Sequence, residues 1–124
     1  GKIDHVTNLG QTPLIEASNS DRPDVMLFLL SRGANPNTIE SKRNRTALHF
    51  CAENHFFKSC ALLLYFGADQ NIKDENGETP INIVEKNVGK TSYSNKDLIL
   101  TKKVLGVYGE SKYLEIIKEY NLIP

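Results

Sequence analysis

The chain has 124 residues, and its 15 basic and 15 acidic side chains cancel to a formal net charge of zero. Nucleic-acid binding through the phosphates needs a clustered excess of Lys and Arg, so this balance argues against general nucleic-acid binding. No run of 18 apolar residues occurs, so we expect no membrane-spanning helix. The length predicts a single domain, and a 40% share of hydrophobic residues is enough to give it a core.

A first pair of helices is predicted between Thr12 and Gly33. Thr12 suits a helix start because its hydroxyl can accept a hydrogen bond from an otherwise unpaired backbone N–H, and Pro13 needs no N–H partner in the first turn. A second helix begins near Pro23 and ends at Gly33, since glycine adopts the left-handed conformation after a helix without steric cost. Residues 3–6 align with the closing loop of an earlier unit, so we expect this chain to be a fragment of a longer protein.

The same pattern returns at a fixed interval. Thr46-Ala47-Leu48-His49 lies 34 positions after the first start, and Gly67-Ala68-Asp69-Gln70-Asn71 lies 34 positions after Gly33-Ala34-Asn35-Pro36-Asn37. A third start, Thr79-Pro80-Ile81, follows 33 positions after Thr46. A period of this length predicts a solenoid, in which the hydrophobic core lies between stacked units.

The second unit shows the expected division between core and surface. Leu48 and Cys51 lie at helical spacing on one apolar face, and the second helix is predicted from about Phe57 to Phe66. Cys51 and Cys60 form no C-x-x-C pair and no metal-ligand spacing with the histidines, which predicts two buried, reduced thiols and no metal site. Reduced thiols are typical of a cytoplasmic or nuclear protein. His55 is expected at the surface, in the turn between the helices.

The third unit departs from the pattern after Asn87. Residues 88–110 are predicted to be an insertion that contains an extra helix, which ends at Gly106 and Gly109. A last helix, from Ser111 to Tyr120, is expected to take the place of the missing second helix. Terminal units of a solenoid are atypical because they cover the exposed core. The insertion therefore caps the stack or, alternatively, serves as a docking site for a partner.

The repeated Thr-Pro-Leu and Gly-Ala-Asn/Asp patterns resemble the ankyrin repeat, over residues 7–87. The resemblance implies one all-α repeat solenoid over residues 1–124, with about three helix-turn-helix repeats joined by hairpin loops. The repeats would span residues 7–40, 41–73 and 74–124, the last an atypical C-terminal cap with the insertion 88–110. The position of His49 in the repeat motif implies a structural role, hydrogen-bonded to Thr and to loop backbone.

No catalytic arrangement accompanies these repeats. The chain has no G-x-S-x-G and no H-E-x-x-H, and Val88-Gly89-Lys90-Thr91 lacks the first glycine of a phosphate-binding loop because Val84 stands in its place. We therefore expect no enzyme, no cofactor and no small-molecule substrate. The resemblance implies a protein–protein interaction module of a scaffold, adaptor or regulatory subunit.

Ankyrin-like stacks bind partners on a concave surface formed by the hairpin tips and the first helices. Carried over to this sequence, that surface gives the following candidate partner-binding residues: Leu9, Gln11, Lys42, Arg43, Arg45, Glu53, Asn54, Glu75, Asn76 and Glu78.

The two central hairpin tips carry opposite charges. Tip two, residues 40–45, has three basic side chains and one acidic, whereas tip three, residues 73–78, has three acidic side chains and one basic. One interpretation is that neighbouring tips simply pair with each other. The other is a split recognition surface, in which the arginines bind an extended partner segment with acidic or phosphorylated residues. The aromatic residues Phe56, Tyr65 and Phe66 form a second candidate surface.

Two other hypotheses remain for the function. The chain is a regulatory ankyrin domain of a larger enzyme or membrane protein, or it is an adaptor associated with chromatin or nucleic acid. The last hypothesis depends only on the cluster Lys42, Arg43 and Arg45.

Overall fold

The protein is an all-helical stack of repeats. A computed structural model describes residues 12–86, 95–107 and 109–124, except the side chain of Asn95. In these ranges it has seven helices: α1 Pro13–Asn19, α2 Pro23–Ser31, α3 Ala47–Glu53, α4 Phe57–Tyr65, α5 Pro80–Lys86, α6 Asn95–Leu105 and α7 Tyr113–Glu119.

The first helix of each repeat begins directly after a threonine, as the periodicity predicts. The hydroxyl of Thr12 accepts a hydrogen bond from the backbone N–H of Ile15, and that of Thr79 accepts one from Asn82. These bonds satisfy backbone N–H groups that have no partner inside the helix. The second helices α2 and α4 end before Gly33 and Gly67, whose φ angles of 96° and 94° place them in the left-handed region.

The core lies between the repeats. α1 and α3 pack side by side, as do α3 and α5, while α2 packs against both α1 and α4. Leu48, Cys51 and Cys60 are fully buried, and both cysteines are free thiols, as predicted. Burial raises the pKa of the Cys60 thiol well above its ordinary value, so the thiol stays protonated.

The C-terminal helices pack differently from the sequence prediction. α6 contacts both α5 and α4, which are the contacts that a second helix makes, since α4 likewise contacts α3 and α2. The prediction assigned this role to the helix of residues 111–120 and is wrong on this point. That helix, α7, packs against α4 and α6 instead, and the ring of Tyr120 meets that of Phe57 edge-on at 5.2 Å.

The small side chain of Ala61 belongs to this packing. Ala61 is fully buried, although the equivalent position of α2, Leu27, is only partly buried.

None of the helices described above is long and apolar enough to cross a membrane.

Candidate functional site

A buried carboxylate organises tip two. The side chain of Glu40 is inside the loop, with 1% of the residue exposed, and accepts hydrogen bonds from the backbone N–H groups of Lys42 (2.8 Å), Arg43 (2.7 Å) and Arg45 (3.3 Å). The N–H of Glu40 donates to the carbonyl of Arg45 at 2.9 Å. These four bonds hold the loop backbone in one conformation.

Asp74 does the same in tip three, 34 residues later. Its carboxylate accepts hydrogen bonds from the N–H groups of Asn76 (2.9 Å) and Glu78 (3.0 Å), and its own N–H donates to the carbonyl of Glu78. Burial alone would raise the pKa of Asp74, but these two hydrogen bonds, with smaller effects from the neighbouring His49 and Arg45 side chains, bring the pKa below its ordinary value. Asp74 is therefore ionised at neutral pH.

The two carboxylates match the lengths of their loops. Glu40 closes a loop to Arg45, whereas Asp74 closes one to Glu78, which is one residue shorter. The longer side chain therefore spans the longer loop. Asn44 completes the turn of tip two with a φ of 58°, where tip three has Gly77 at 74°. Asn tolerates this left-handed conformation better than most residues other than glycine.

Tips two and three are joined to each other. The backbone N–H of Glu75 donates to the carbonyl of Arg43 at 2.8 Å. The guanidinium of Arg45 lies 3.4 Å from the carboxylate of Asp74 and 2.9 Å from that of Glu53. It also lies 5.6 Å from the ring centre of Phe50.

The prediction that Arg45 is presented to a partner at the tip is therefore wrong. Its side chain is only 7% exposed, and its two carboxylate partners hold it inside the stack. The charged end of the side chain turns back from the loop because Asp74, which belongs to the next repeat, is buried and needs a counter-charge. The interpretation that neighbouring tips pair with each other is correct for Arg45 and Asp74.

The equivalent pair in repeat three has the reverse charges. Glu78 occupies the position of Arg45, directly before the helix threonine, and Lys86 occupies that of Glu53 at the end of the helix. Their side chains lie 3.4 Å apart. Repeats two and three thus each pair the residue directly before the helix threonine with an opposite charge at the end of that helix.

Four predicted residues remain exposed at the tips: Lys42, Arg43, Glu75 and Asn76. Among the residues that the structure describes, their side chains form no ion pair and no hydrogen bond. Tip two therefore presents the cations of Lys42 and Arg43, and tip three presents the anion of Glu75 beside the exposed cation of Lys73. Internal hydrogen bonds hold both loop backbones in place.

The other predicted residues are engaged within the stack or lie outside the described residues. The amide of Asn54 donates to the Asn19 side chain at 3.1 Å and to the carbonyl of Phe50 at 3.0 Å. Leu9 and Gln11 lie outside the described ranges.

His49 links repeats two and three, as the repeat motif implies. Its Nδ1 lies 3.0 Å from the backbone N of Thr46 and 2.9 Å from the Thr46 hydroxyl, and its Nε2 lies 2.9 Å from the carbonyl oxygen of Glu78. The neutral tautomer with its proton on Nε2 satisfies these contacts. Burial is the largest influence and lowers the pKa of His49 below its ordinary value, although the Glu78 carbonyl and Asp74 act in the opposite direction.

The prediction that His55 lies at the surface is wrong. Only 2% of the residue is exposed, and its φ of 59° belongs to a tight left-handed turn. α6, which packs against α4, brings Asp97 and Lys102 near the imidazole, and sequence periodicity alone does not show this proximity. Burial lowers the pKa of His55; Asp97 opposes this effect and Lys102 adds to it.

A cleft of about 360 Å³ lies beside this turn. Its lining includes the aromatic rings of Phe56, Phe57 and Tyr120 and the charged side chains of Lys58 and Lys96. The ammonium of Lys58 lies 4.9 Å from the ring centre of Tyr120.

The predicted aromatic surface is smaller than expected. Phe56 and Phe66 are partly buried against the core, whereas Tyr65 is 45% exposed and meets the Phe66 ring edge-on at 5.3 Å. Tyr108 lies outside the described residues. Within the part of the chain that the structure describes, no three His, Cys, Asp or Glu side chains form a group able to hold a metal ion.

Comparison with known proteins places these observations in a family. A sequence model of three ankyrin repeats matches residues 14–90. The human ankyrin repeat and KH domain-containing protein 1 is 35% identical over 80 residues, which are 63% of this chain and 3% of that protein. The Drosophila melanogaster transient receptor potential cation channel subfamily A member 1 is 33% identical over 79 residues, which are 64% of this chain and 6% of that protein.

A solved structure has the same fold. The ankyrin repeat domain of Bcl-3, a member of the IkappaB protein family, superimposes with a TM-score of 0.66 over 82% of this chain and 41% of that domain, at 24% identity. The chain thus spans only a small part of the curated relatives it matches, and less than half of this structural neighbour.

Proposed function

Because the chain belongs to the ankyrin-repeat family, whose repeats are in general protein–protein interaction modules, we propose that it binds an extended, acidic or phosphorylated segment of another protein along tips two and three. The module itself is non-catalytic. The observation that carries this proposal is that Lys42 and Arg43 project from a loop whose backbone Glu40 holds in one conformation.

Preorganisation matters for such a site. Binding usually costs free energy because loops and side chains lose conformational freedom, and a loop that is already ordered avoids part of that cost. The guanidinium of Arg43 offers a planar pair of N–H donors that suits a carboxylate or a phosphate. Arg45 satisfies the buried Asp74, so Arg43 and Lys42 remain available to a ligand.

The experiment compares the wild-type protein with the Lys42→Glu/Arg43→Glu variant against immobilised extended peptides. The peptides share one sequence with acidic, phosphorylated or neutral residues at its centre. We expect the variant to lose about tenfold in affinity for the acidic and phosphorylated peptides, because two exposed ion pairs of up to about 1 kcal/mol each are replaced by repulsion. The melting temperature should stay unchanged, since both side chains are exposed.

A control variant, Arg32→Glu/Lys118→Glu, makes the same change in net charge at exposed positions away from the tips. It should bind like the wild type. Equal losses in both variants would mean that only the overall charge of the protein matters. Equal binding by all three proteins would refute the proposed site.

The longer protein around this module is a scaffold, an adaptor or a regulatory subunit in this proposal. The match to a cation channel favours a second candidate, a regulatory domain within a larger membrane protein, since the matched segment is only 6% of that relative. The nucleic-acid hypothesis depends on three cations, and one of them, Arg45, is buried. This burial weakens the hypothesis. A cytoplasmic or nuclear location is supported by the free thiols of Cys51 and Cys60.

A further inference from the structure

The cleft beside the α3–α4 turn lies at the end of the helices opposite to the tips. We infer that it binds the C-terminal residue of a partner chain, with an aromatic ring inside the cleft and the terminal carboxylate at its mouth. The inference goes beyond the proposed function, because the cleft follows α3 whereas tip two precedes it. The seven residues of α3 separate the two sites by about 10 Å along the helix axis.

Four parts of the chain build the cleft. The α1–α2 turn contributes Asp21, the α3–α4 turn and the start of α4 contribute residues 54–58, α6 contributes Lys96 and Asp97, and Tyr120 follows α7. α6 and α7 belong to the part of the sequence that departs from the repeat, and both pack against α4. The resulting volume of about 360 Å³ lies within the range of ligand pockets.

The buried part of the lining is aromatic and uncharged. Phe57 is 9% exposed and its ring meets that of Tyr120 edge-on, while Phe56 is partly buried against the core. Burial lowers the pKa of His55, so its imidazole is neutral at pH 7. Aromatic rings pack edge-to-face with their centres about 4.5–7 Å apart, so this floor suits a further aromatic ring.

The two cations of the cleft lie at its more exposed side. Lys96 is exposed and Lys58 is partly exposed. Among the residues that the structure describes, neither has a carboxylate within ion-pair distance. The ammonium of Lys58 instead lies 4.9 Å from the ring centre of Tyr120, which holds it against the aromatic floor. An anion is therefore the group that completes the mouth of the cleft.

Two aspartates also line the cleft, and each interacts within the protein. The carboxylate of Asp21 accepts a hydrogen bond from the Ser59 hydroxyl at 3.4 Å, and Asp97 acts electrostatically on His55. The four charges of the lining cancel. The attraction for an anion is consequently local to the two lysines, and Asp21 opposes it.

The ring and the anion come from one residue of the partner. In an extended segment, neighbouring side chains point to opposite sides, and the next one on the same side is about 6.7 Å away. The Lys58 ammonium, by contrast, lies directly against the aromatic floor. A C-terminal Phe or Tyr carries both groups, and its carboxylate stays at the mouth when the ring enters. Phosphotyrosine carries its anion at the far end of the ring, where it would meet the neutral floor.

Short N-acetylated peptides test the inference, with affinity for the full chain measured by NMR titration of the isotope-labelled protein. Three probes end in Gly-Phe acid, Gly-Phe amide and Gly-Ala acid, and a fourth has an internal phosphotyrosine and a C-terminal amide. We expect Gly-Phe acid to bind about fivefold more tightly than its amide, which is the gain from one exposed ion pair. It should bind more than about tenfold more tightly than Gly-Ala acid, because the alanine buries no ring.

Variants of the protein locate the carboxylate. Lys58→Gln/Lys96→Gln should reduce the affinity for Gly-Phe acid to that for the amide. Lys42→Gln/Arg43→Gln removes the same charge at tip two and should bind like the wild type. Because Lys58 also packs on Tyr120, Lys96→Gln alone and Lys58→Arg complete the set. The first should lose part of the affinity, and the second should retain it.

Asp21→Asn tests the opposing charge. Asn keeps a side-chain oxygen for the Ser59 hydroxyl and tolerates the φ of 51° at this position. We expect about twofold tighter binding of Gly-Phe acid, because a repulsive charge is removed, and no change for the amide.

Several results would overturn the inference. These are equal affinity for the acid and the amide, tighter binding of the phosphotyrosine peptide, or no binding of any probe. A loss of affinity in the tip-two variant alone would also overturn it, because the carboxylate would then bind at the tips. The proposed function is tested separately, with the peptides that have acidic or phosphorylated residues at their centre.

Discussion

Replacement of Arg45 by alanine tests whether this side chain is part of the scaffold. Its guanidinium is 7% exposed and contacts Asp74, whose side chain is 1% exposed, and Glu53, whose side chain is 38% exposed. Removing one partner of a buried ion pair costs about 3–5 kcal/mol. Asp74 keeps two backbone hydrogen bonds and Glu53 is partly solvated, so we expect a loss of about 2–3 kcal/mol in the free energy of unfolding.

Urea unfolding followed by circular dichroism measures this loss. Arg43→Ala is the matched control, because the same residue type lies two positions earlier with its side chain in solvent, and its effect should stay within about 0.5 kcal/mol. Arg45→Met separates the packing of the aliphatic part of the side chain from the charge, and should restore little of the stability if the charge is what matters. Equal, small effects of Arg45→Ala and Arg43→Ala would refute the structural role of Arg45.

Two further changes test the loop and the repeat contact. Glu40→Asp should lower the free energy of unfolding by about 1–3 kcal/mol, because the shorter carboxylate cannot reach all three N–H groups of the longer loop; denaturation at neutral pH measures this, and an unchanged midpoint would contradict it. The pKa of His49 is lowered in the folded state, so the unfolded state takes up the proton more readily and stability falls as the pH drops below about 6.5. His49→Asn, which copies Asn82 of repeat three, should reduce this acid sensitivity in melts across the pH range, and an unchanged dependence would assign it to other groups.

Much of the fold follows from periodicity. The helix starts at Thr12, Thr46 and Thr79 and the ends before Gly33 and Gly67 depend on local chemistry, which the sequence shows directly.

The roles of the C-terminal helices could not be read in the same way. Both α6 and α7 have apolar residues at helical spacing, and the choice of which one packs on α5 depends on contacts distant in the sequence.

The candidate site residues show the same difference between features set by local sequence and features set by distant contacts. Lys42 and Arg43 are exposed because they lie at the tip of a hairpin, which the repeat register predicts. By charge and position in the sequence, Arg45 belongs with these two residues. It is buried instead because its partner Asp74 lies 29 residues away, in the next repeat. The burial of Glu40 had a sequence signal, namely the acidic residue at the equivalent position 34 residues later.

The most direct test of the account is an NMR titration of the isotope-labelled protein with an extended acidic or phosphorylated peptide. We predict that the backbone amide signals of Lys42, Arg43, Glu75 and Asn76 shift together as one saturable process. Shifts confined to the cleft lined by Phe57 and Tyr120, with the tip signals unchanged, would contradict the account and place the partner at the opposite end of the helices.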